Sequence, residues 1–408
     1  MNDQREMIMG LNETPSGERL HIALFGRRNA GKSSLINAIT DQDLAVVSDI
    51  KGTTTDPVSK AMELLPLGPV VMIDTPGLDD AGTLGDLRVK KAYQVLNKAD
   101  IALLVVDAAE GFKPEDQLIL DRIKTKSIPY IVVYNKCDLL SEPGKGDDHT
   151  IYVSSTAKTN INELKELIAH SVKPEGEGKR VVGDLIKKED IIVLVVPVDK
   201  AAPKGRLILP QQQTIRDILD TQATAVVCQN TTLDATLKSL GKKPVMVITD
   251  SQVFGEVSKI VPADIPLTSF SILFARYKGN LELAVKGVAA LKTLKDGDTV
   301  LISEGCTHHR QCGDIGSVKI PRWIAQNTGK KINIELSSGT EFPADLSKYK
   351  LVVHCGGCML NEREMKYRLR CAQDEGVPIT NYGILIAYVT GILKRSVALF
   401  PDIDALLD

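Results

Sequence analysis

The sequence lacks the features that would direct a chain to a membrane or to nucleic acid. Its formal net charge is only -2 over 408 residues, so no strong overall field attracts it to a polyanion. Its longest apolar runs, at 191–198 and 384–393, are far too short to cross a bilayer. The first residues are polar and mixed, unlike a signal peptide. We therefore expect a cytoplasmic protein with neither a membrane nor a nucleic-acid partner.

The remaining composition is that of an ordinary globular protein, with 43% hydrophobic and 25% charged residues. A chain of 408 residues predicts two to three domains. Cysteine is scarce and unevenly placed, because four of the seven thiols fall between Cys306 and Cys358. In a reducing compartment this clustering favours metal chemistry over disulfides.

A glycine loop follows the first apolar strand. It reads G-x-x-x-x-G-K-S from Gly26 to Ser33 and leads into an amphipathic helix, which is the strand, loop and helix context of a P-loop. Backbone N–H groups and Lys32 would surround phosphates, and the Ser33 hydroxyl would hold Mg²⁺. The loop residues predicted to bind the nucleotide are Gly26, Asn29, Ala30, Gly31, Lys32, Ser33 and Ser34.

Two further segments complete a phosphate and magnesium site. A second apolar strand ends in Asp74-Thr75-Pro76-Gly77, where Asp74 can hold Mg²⁺ through water and the Gly77 N–H can meet the γ-phosphate. The segment 52–57 supplies a switch threonine, Thr54, as a further Mg²⁺ ligand. We predict Lys32, Thr54 and Gly77 as the catalytic residues.

A guanine site is predicted at the end of a third strand. The segment 135–138 reads Asn-Lys-Cys-Asp, and the Asp138 carboxylate can accept from both guanine N1–H and the exocyclic amine. Adenine offers no such donor pair, so GTP is favoured over ATP. The predicted base-binding residues are Asn135, Lys136, Asp138, Thr156, Ala157 and Lys158.

Together these motifs resemble the translation-factor-like GTPases over about residues 20–172. Leu78 stands where many small GTPases place a water-orienting glutamine. Asn29 is similar to the asparagine of the potassium-activated GTPases typified by the tRNA-modification enzyme. That resemblance implies a K⁺ ion beside the phosphates, which would stabilise the transition-state charge. The alternative is that Asn29 is a loop residue bonding its own backbone.

After a polar, glycine-rich linker at 173–184, strands and helices alternate again. This pattern predicts a small parallel sheet of about three strands with helical cover, able to pair across subunits. From about residue 269 a third α/β pattern follows. We therefore predict an α/β protein, a P-loop GTPase domain followed by two smaller α/β domains, with bounds 1–172, 180–266 and 267–408.

The third region carries a cluster of soft ligands. Cys306 and His308 follow one strand, and His354, Cys355 and Cys358 follow another. The ends of parallel strands share one edge of a sheet, so these groups are expected to converge. Three thiolates with imidazole suit either zinc or a 4Fe–4S cluster with one open iron, and ligand chemistry alone does not separate the two. Cys312 is expected to be a bystander.

The order of GTPase domain, small middle domain and C-x-H followed by H-C-x-x-C resembles the FeFe-hydrogenase maturation GTPases over essentially the whole chain. The resemblance implies a 4Fe–4S cluster on Cys306, Cys355 and Cys358, with His308 and His354 as motif histidines. It also implies a homodimer or larger assembly that completes a transient diiron subcluster and delivers it to the apo FeFe-hydrogenase.

The chain lacks the C-x-x-x-C-x-x-C triad of radical S-adenosylmethionine enzymes, so it is not expected to make the diatomic ligands itself. The resemblance implies that two radical S-adenosylmethionine maturases are partners. The alternative function is a zinc-bearing, potassium-activated GTPase in RNA modification or ribosome assembly. Against it, the sequence shows no basic patch interleaved with aromatics. A GTP-driven switch with a structural metal is the third possibility.

Overall fold

A computed structural model describes residues 16–41, 57–77, 92, 94–142, 144–172, 179–197, 207–305, 314–339, 342–343 and 345–407. These residues fall into two compact units, one within Thr14–Glu177 and the other within Gly178–Asp408. Strands and helices alternate through both units, which confirms the predicted α/β class. No helix in the described ranges is both long and apolar enough to cross a membrane.

The first unit is built on one sheet. Its strands are β1 (Leu20–Phe25), β2 (Val58–Leu64), β3 (Gly68–Asp74), β4 (Ile101–Asp107), β5 (Tyr130–Asn135) and β6 (Thr150–Tyr152). Its described helices include α1 (Lys32–Thr40), α2 (Pro114–Thr125) and α3 (Ile161–Ser171).

The six strands run in the order β2-β3-β1-β4-β5-β6, with β2 antiparallel to β3 and the other pairs parallel. Strand β1 is apolar almost throughout because each face of the sheet packs into its own core. Leu24 on one face packs with Leu35 and Ile39 of α1, while Phe25 on the other packs with Ile119 of α2. The carboxyl ends of β1, β3 and β5 therefore lie along one edge of the sheet.

The second unit contains two sheets. Its strands are β7 (Ile191–Val195), β8 (Thr224–Cys228), β9 (Met246–Thr249), β10 (Leu267–Ser269), β11 (Thr299–Ser303), β12 (Asn333–Ser337), β13 (Tyr349–His354) and β14 (Ile379–Asn381). Its described helices include α4 (Leu209–Asp220), α5 (Leu233–Ser239), α6 (Phe254–Ile260), α7 (Phe270–Lys278), α8 (Leu281–Val288), α9 (Ile320–Thr328), α10 (Glu362–Asp374), α11 (Tyr382–Val389), α12 (Leu393–Val397) and α13 (Pro401–Asp404).

Both sheets of this unit have four parallel strands, in the orders β10-β9-β7-β8 and β12-β11-β13-β14. The middle sheet thus has one strand more than the three or so expected. The additional strand is β10, which pairs with β9. It lies just beyond the predicted boundary at residue 266, and the predicted domain bounds stay predictions.

The two sheets of the second unit share one continuous apolar core. Val193 of β7 and Val353 of β13 belong to the same cluster, to which α7 contributes Leu273 and α11 contributes Leu385. The other face of the last sheet packs separately, where Val352 joins the cluster that includes Ala372 of α10. Residues 351 and 353 therefore face the shared core, and residue 352 faces α10, as strand alternation requires.

One close approach provides a test of this packing. A Cβ at Gly287 of α8 would lie 2.0 Å from the carbonyl oxygen of Ile379, so the helix could not pack against β14 as it does. We expect Gly287→Ala to lower the free energy of unfolding by about 1–3 kcal/mol, as overpacked cores do. Denaturant unfolding of the intact chain measures this change.

Gly255→Ala is the matched control, because a Cβ there would meet nothing nearer than the Thr390 methyl at 3.9 Å. This substitution inside α6 should be neutral or stabilising by up to about 1 kcal/mol, since alanine has the higher helix propensity. Equal stabilities of the two variants would contradict the packing of α8 on β14.

Candidate functional site

The loop after β1 has a backbone that only glycine satisfies at two positions. Gly26 has φ 142°, and a Cβ there would lie 2.2 Å from the carbonyl oxygen of Val105. Gly31 has φ 88°, and a Cβ there would lie 2.3 Å from the amide nitrogen of Asn135. Asn29 is exposed and also left-handed, with φ 60°, a conformation that asparagine tolerates better than most residues. The loop is thus wound tightly enough to turn its backbone N–H groups toward a phosphate.

Lys32 and Ser33 open α1 at the end of this loop. The Lys32 ammonium is buried and donates to the carbonyl oxygens of Gly26 at 2.9 Å and Arg27 at 2.8 Å. A cation is therefore held within the loop, where the β- and γ-phosphates of a nucleotide would lie. Ser34 lies half-buried in the first turn of α1.

A magnesium site is formed by the end of β3 and the start of α1. The Ser33 hydroxyl donates to Asp74 Oδ2 at 2.5 Å. Asp74 Oδ1 is buried, and among the described residues it has no hydrogen-bond partner. Burial raises the pKa of Asp74. A hydroxyl and a carboxylate with one unsatisfied buried oxygen fit Mg²⁺, which prefers oxygen ligands. Of the other predicted residues here, Gly77 follows β3, whereas Thr54 and Leu78 lie outside the described residues.

Asn135, at the end of β5, connects three loops through one carboxamide. Its Nδ2 donates to the carbonyl oxygens of Ala30 at 3.1 Å and Gly31 at 3.4 Å. Its Oδ1 accepts from the N–H of Ser155 at 3.1 Å and from the Ser155 hydroxyl at 2.8 Å. The phosphate loop, the predicted guanine motif and the loop after β6 are thereby held in fixed relation.

The guanine motif continues in a left-handed turn. Lys136 has φ 65°, and its ammonium lies 2.7 Å from Asp107 Oδ2 at the end of β4. Asp138 is exposed in the following short turn, so its carboxylate is accessible to a base. Cys137 is buried, as a small packed residue is expected to be.

The loop after β6 closes on itself. The N–H of Ala157 donates to the Ser154 hydroxyl at 3.0 Å, and Lys158 is left-handed with φ 55°. Thr156, Ala157 and Lys158 are all exposed. The predicted phosphate, magnesium and base residues that the structure describes thus lie in loops at one edge of the six-stranded sheet.

Sequence patterns gave no indication of the role of Arg27. Its guanidinium donates to Asp116 at 3.1 Å, to Glu110 at 2.6 Å and to the carbonyl oxygen of Gly111 at 3.1 Å. The Asp116 side chain is fully buried. Hydrogen bonds from Lys113 and from Arg27 lower the pKa of Glu110 to about 2. Arg27 therefore ties the phosphate loop to the start of α2, through residues far away in the sequence.

The second predicted site lies at the ends of β11 and β13. These strands are adjacent and parallel, with Ser303 opposite His354. The N–H of Cys355 donates to the Ser303 carbonyl oxygen at 2.9 Å, which continues the pairing by one residue. The segments leading to Cys306 and to Cys355 thus leave the sheet side by side. Cys306, His308, His309 and Cys312 themselves lie outside the described residues.

The loop after β13 presents its thiols in different surroundings. Cys355 Sγ accepts from the N–H groups of Gly305 at 3.0 Å and Gly357 at 3.4 Å. Burial raises the pKa of the Cys358 thiol, and the charge of Lys278 opposes that rise. The Lys278 ammonium is buried and lies 3.4 Å from the carbonyl oxygen of Leu360, at the end of this loop.

Cys355 and Cys358 are not joined in a disulfide. Within the described ranges no group of three or more cysteine, histidine or acidic side chains converges to hold a metal. The predicted third thiolate, Cys306, is outside those ranges, so the ligand set stays a prediction.

His354 is 2% exposed, and both of its ring nitrogens are engaged. Nδ1 lies 2.7 Å from the carbonyl oxygen of Cys355, and Nε2 lies 3.1 Å from Nη1 of Arg368. Burial, and then the positive charge of Arg368, lower the pKa of His354 to about 3. Iron ligation by His354 would require one of these contacts to break.

The fold of the first unit and its phosphate and guanine loops define a P-loop GTPase, and a family model described as a 50S ribosome-binding GTPase matches residues 21–136. Two further models, the hydrogen maturase F dimerization and tetramerization domains, match residues 181–279 and 282–399. The chain belongs to the hydrogen maturase F family and is a hydrogenase-maturation GTPase that uses GTP and Mg²⁺. Its two maturase domains support assembly into oligomers.

Curated relatives match the GTPase region only. The tRNA modification GTPase MnmE of Legionella pneumophila (strain Paris) is 38% identical over 159 residues, which span 38% of this chain and 35% of that protein. MnmE of Chromobacterium violaceum is 37% identical over 168 residues, which span 39% of this chain and 37% of that protein. The chain thus spans well under half the length of these relatives, and they give no support to an RNA function for the later regions.

Solved structures with a likeness to the chain include other GTP-binding proteins. A GDP complex of Aquifex aeolicus Era has a TM-score of 0.34 and 22% identity, covering 51% of this chain and 91% of that one. A GDP complex of S. thermophilus NFeoB has a TM-score of 0.32 and 21% identity, covering 41% and 74%.

Asp138→Asn tests the base site. The substitution replaces a charged double acceptor by an amide, so GTP affinity should fall by about 10- to 100-fold, in line with the loss of charge-assisted hydrogen bonds. Xanthosine triphosphate, whose base carries a carbonyl in place of the amine, should bind better than it does to the wild type. Nucleotide competition against a fluorescent GDP measures both effects.

Asp121→Asn, on the exposed face of α2, is the control and should bind GTP normally. Competition by ATP as strong as by GTP in the unaltered chain would contradict the base assignment.

Proposed function

We propose that the chain is the scaffold and carrier of FeFe-hydrogenase maturation. It binds a 4Fe–4S cluster through Cys306, Cys355 and Cys358, and a diiron precursor of the hydrogenase site is completed beside this cluster. The observation that carries the proposal is the adjacent, parallel pairing of β11 with β13 in a chain of the hydrogen maturase F family. The precursor is then delivered to the apo FeFe-hydrogenase.

The residues described near the site suit a cluster. The thiol of Cys355 already accepts two backbone N–H groups, an arrangement that stabilises thiolate charge and tunes a cluster when one is bound. Cys358 follows in the same loop, and its burial favours exchange of a thiol proton for a metal bond. Zinc accepts a similar ligand set, and membership of the family favours the cluster over zinc.

Three thiolates leave one iron of a cubane without a cysteine ligand. A scaffold gains from a weak ligand there, because a second iron unit can replace it and bridge to the cluster. The ligands predicted from sequence for this position are His308 and His354. The diiron unit itself is cargo, and the two radical S-adenosylmethionine maturases are the proposed source of its diatomic ligands.

In the GTPase unit, Lys32 would stabilise charge on the phosphates, the Gly77 N–H would meet the γ-phosphate, and Ser33, Asp74 and Thr54 would hold Mg²⁺. Guanine selection rests on Asn135, Lys136 and Asp138, with Thr156, Ala157 and Lys158 behind the base. The remaining phosphate contacts come from Gly26, Asn29, Ala30, Gly31 and Ser34. The chain is proposed to work as a dimer or larger assembly, divided at 1–172, 180–266 and 267–408.

Potassium is the proposed additional cofactor of hydrolysis. Asn29 would hold K⁺ beside the phosphates, so GTP turnover should be faster in KCl than in NaCl at equal ionic strength. Because Asn29 is left-handed, Asn29→Gly is the informative variant, since glycine keeps that backbone and removes the carboxamide. The preference for K⁺ should vanish in this variant. Release of phosphate is measured in each salt.

Asn29→Asp is the companion variant, because it keeps both the turn and an oxygen ligand and should retain a preference for K⁺. Identical rates of the unaltered chain in the two salts would exclude a potassium site.

Cysteine substitution tests the cluster. Each of Cys306→Ser, Cys355→Ser and Cys358→Ser should lose most of its iron and sulfide after anaerobic reconstitution, because each removes one thiolate of the ligand set. GTP hydrolysis should persist in all three, since the phosphate and base loops belong to the other compact unit. Iron and sulfide analysis, visible absorption and phosphate release are measured together.

Cys371→Ser is the matched control, because Cys371 lies on α10 in neither predicted ligand segment. It should retain a full cluster. Full iron in any of the three predicted variants, or its loss in Cys312→Ser instead, would show that a different set of thiols binds the cluster. Tightly bound zinc and no uptake of iron in the unaltered chain would contradict the proposed function.

A further inference from the structure

Arg368 is the largest side chain that is fully buried among the described residues. It lies on the inner face of α10 and contacts Glu364 at 2.9 Å, one turn earlier on the same helix. It also donates to the Ser303 hydroxyl at 3.3 Å and to the Gly339 carbonyl oxygen at 2.6 Å. Its fourth partner is His354 Nε2, at 3.1 Å. One guanidinium thus joins the ends of β11 and β13, next to the segments that carry the predicted thiolates.

The contact with Arg368 determines which nitrogen of His354 carries the proton. A guanidinium is always protonated and has donors only, so Nε2 must act as the acceptor. In the neutral ring the proton is then on Nδ1, which donates to the Cys355 carbonyl oxygen at 2.7 Å. No lone pair of the ring remains for a metal while both contacts hold.

Strand alternation supports the same conclusion. Val353 faces the core shared by the two sheets, and Cys355 packs against that same core. Val352 faces α10, and so does His354, which contacts Arg368. The imidazole and the Cys355 thiol therefore leave the chain on opposite faces. His354 is well placed to hold the loop from behind and poorly placed to share a metal with Cys355.

We propose that Arg368 is a positioning residue of the metal site, which fixes the tautomer of His354 so that His354 supports the Cys355 loop rather than ligating iron. The relay runs from guanidinium to imidazole to the Cys355 carbonyl, and it fixes the chain at the residue that provides the first thiol of the C-x-x-C pair. The role of His354 then differs from the ligand role predicted from sequence. This inference rests on the proposed function in so far as the metal is a cluster.

Two substitutions of His354 separate support from ligation. In His354→Asn the amide lies near the position of Nδ1 and can still donate to the Cys355 carbonyl, but no imidazole remains. In His354→Gln the amide reaches the position of Nε2, keeps Arg368 satisfied and loses the donor to Cys355. The inference expects His354→Asn to keep the wild-type iron content and His354→Gln to release iron to a chelator about 10- to 100-fold faster, as loss of a supporting hydrogen bond does at other metal sites.

Electron paramagnetic resonance provides a readout independent of stability. A ring nitrogen bound to iron gives strong nitrogen couplings in the reduced cluster, and these appear in pulsed spectra. The inference expects the same nitrogen couplings in the unaltered chain and in His354→Asn, because the ring is not bound. Loss of a strong nitrogen coupling in His354→Asn would overturn it. Comparison of these two proteins isolates His354 from His308.

Arg368→Lys tests the first step of the relay. Lysine keeps the charge but cannot reach His354, Ser303 and Glu364 at once, so iron release should again be about 10- to 100-fold faster than in the unaltered chain. Arg395→Lys is the matched control, because Arg395 is half-buried and donates to the carbonyl oxygens of Ser258 and Val261, away from the Cys355 loop. Equal iron release by the two arginine variants would contradict the role of Arg368.

The outcomes distinguish this inference from the proposed function. If the unaltered chain takes up zinc and no cluster, the proposed function fails. The same variants then report on the relay through competition of a zinc chelator, with the same order of affinities expected. If a cluster forms and His354→Asn loses a nitrogen ligand, the proposed function stands and the inference fails.

Discussion

The pairing of β11 with β13 is the constraint on which the second site depends. Their register places Ser303 opposite His354, and it decides which side chains face α10 and which face the shared core. A slip of one residue would exchange these faces, because side chains alternate along a strand. The Cys355 thiol would then point toward Arg368, and the His354 ring would be forced into an apolar core. A fully buried guanidinium helps to prevent this slip, since its hydrogen bonds are satisfied in one register only.

A single polar side chain has a comparable part in the first unit. The Asn135 carboxamide uses both its donor and its acceptor to join the phosphate loop and the loop after β6. Gly31 permits this contact, because any Cβ there would occupy the space of the amide. The base site and the phosphate site are therefore built as one rigid frame. Displacement of either loop would leave a buried amide unsatisfied, which is costly in an environment that excludes water.

The parts of the molecule that could be predicted from sequence are those encoded over short distances. The glycine loop, the Asp74 and Asn135 segments and the alternation of apolar strands with helices are local patterns, and the strands end where these patterns place them. The convergence of β11 and β13 could be anticipated too, because parallel strands present their carboxyl ends at one edge. Strand β10 was not anticipated, since three residues are too few to give a pattern.

The residues that sequence reasoning missed act through tertiary contacts. Glu364 and Arg368 have the spacing of an exposed helical ion pair, and nothing local shows that β13 buries them. Arg27 likewise finds its buried partner Asp116 far along the chain. The predicted ligand role of His354 came from its place beside Cys355. A neighbour in sequence is on the opposite face of a strand, so adjacency alone does not bring two side chains to one metal.

The core shared by the two sheets of the second unit has a consequence for how this region can change over evolutionary time. Leu273 and Leu385 belong to a single apolar cluster with residues of both sheets, although they fall in different domain families. Recombination between those families would separate surfaces that have been shaped against each other, and would expose apolar area on both sides. The dimerization and tetramerization regions are therefore expected to be inherited together, as a pair whose sequences drift in concert at their common boundary.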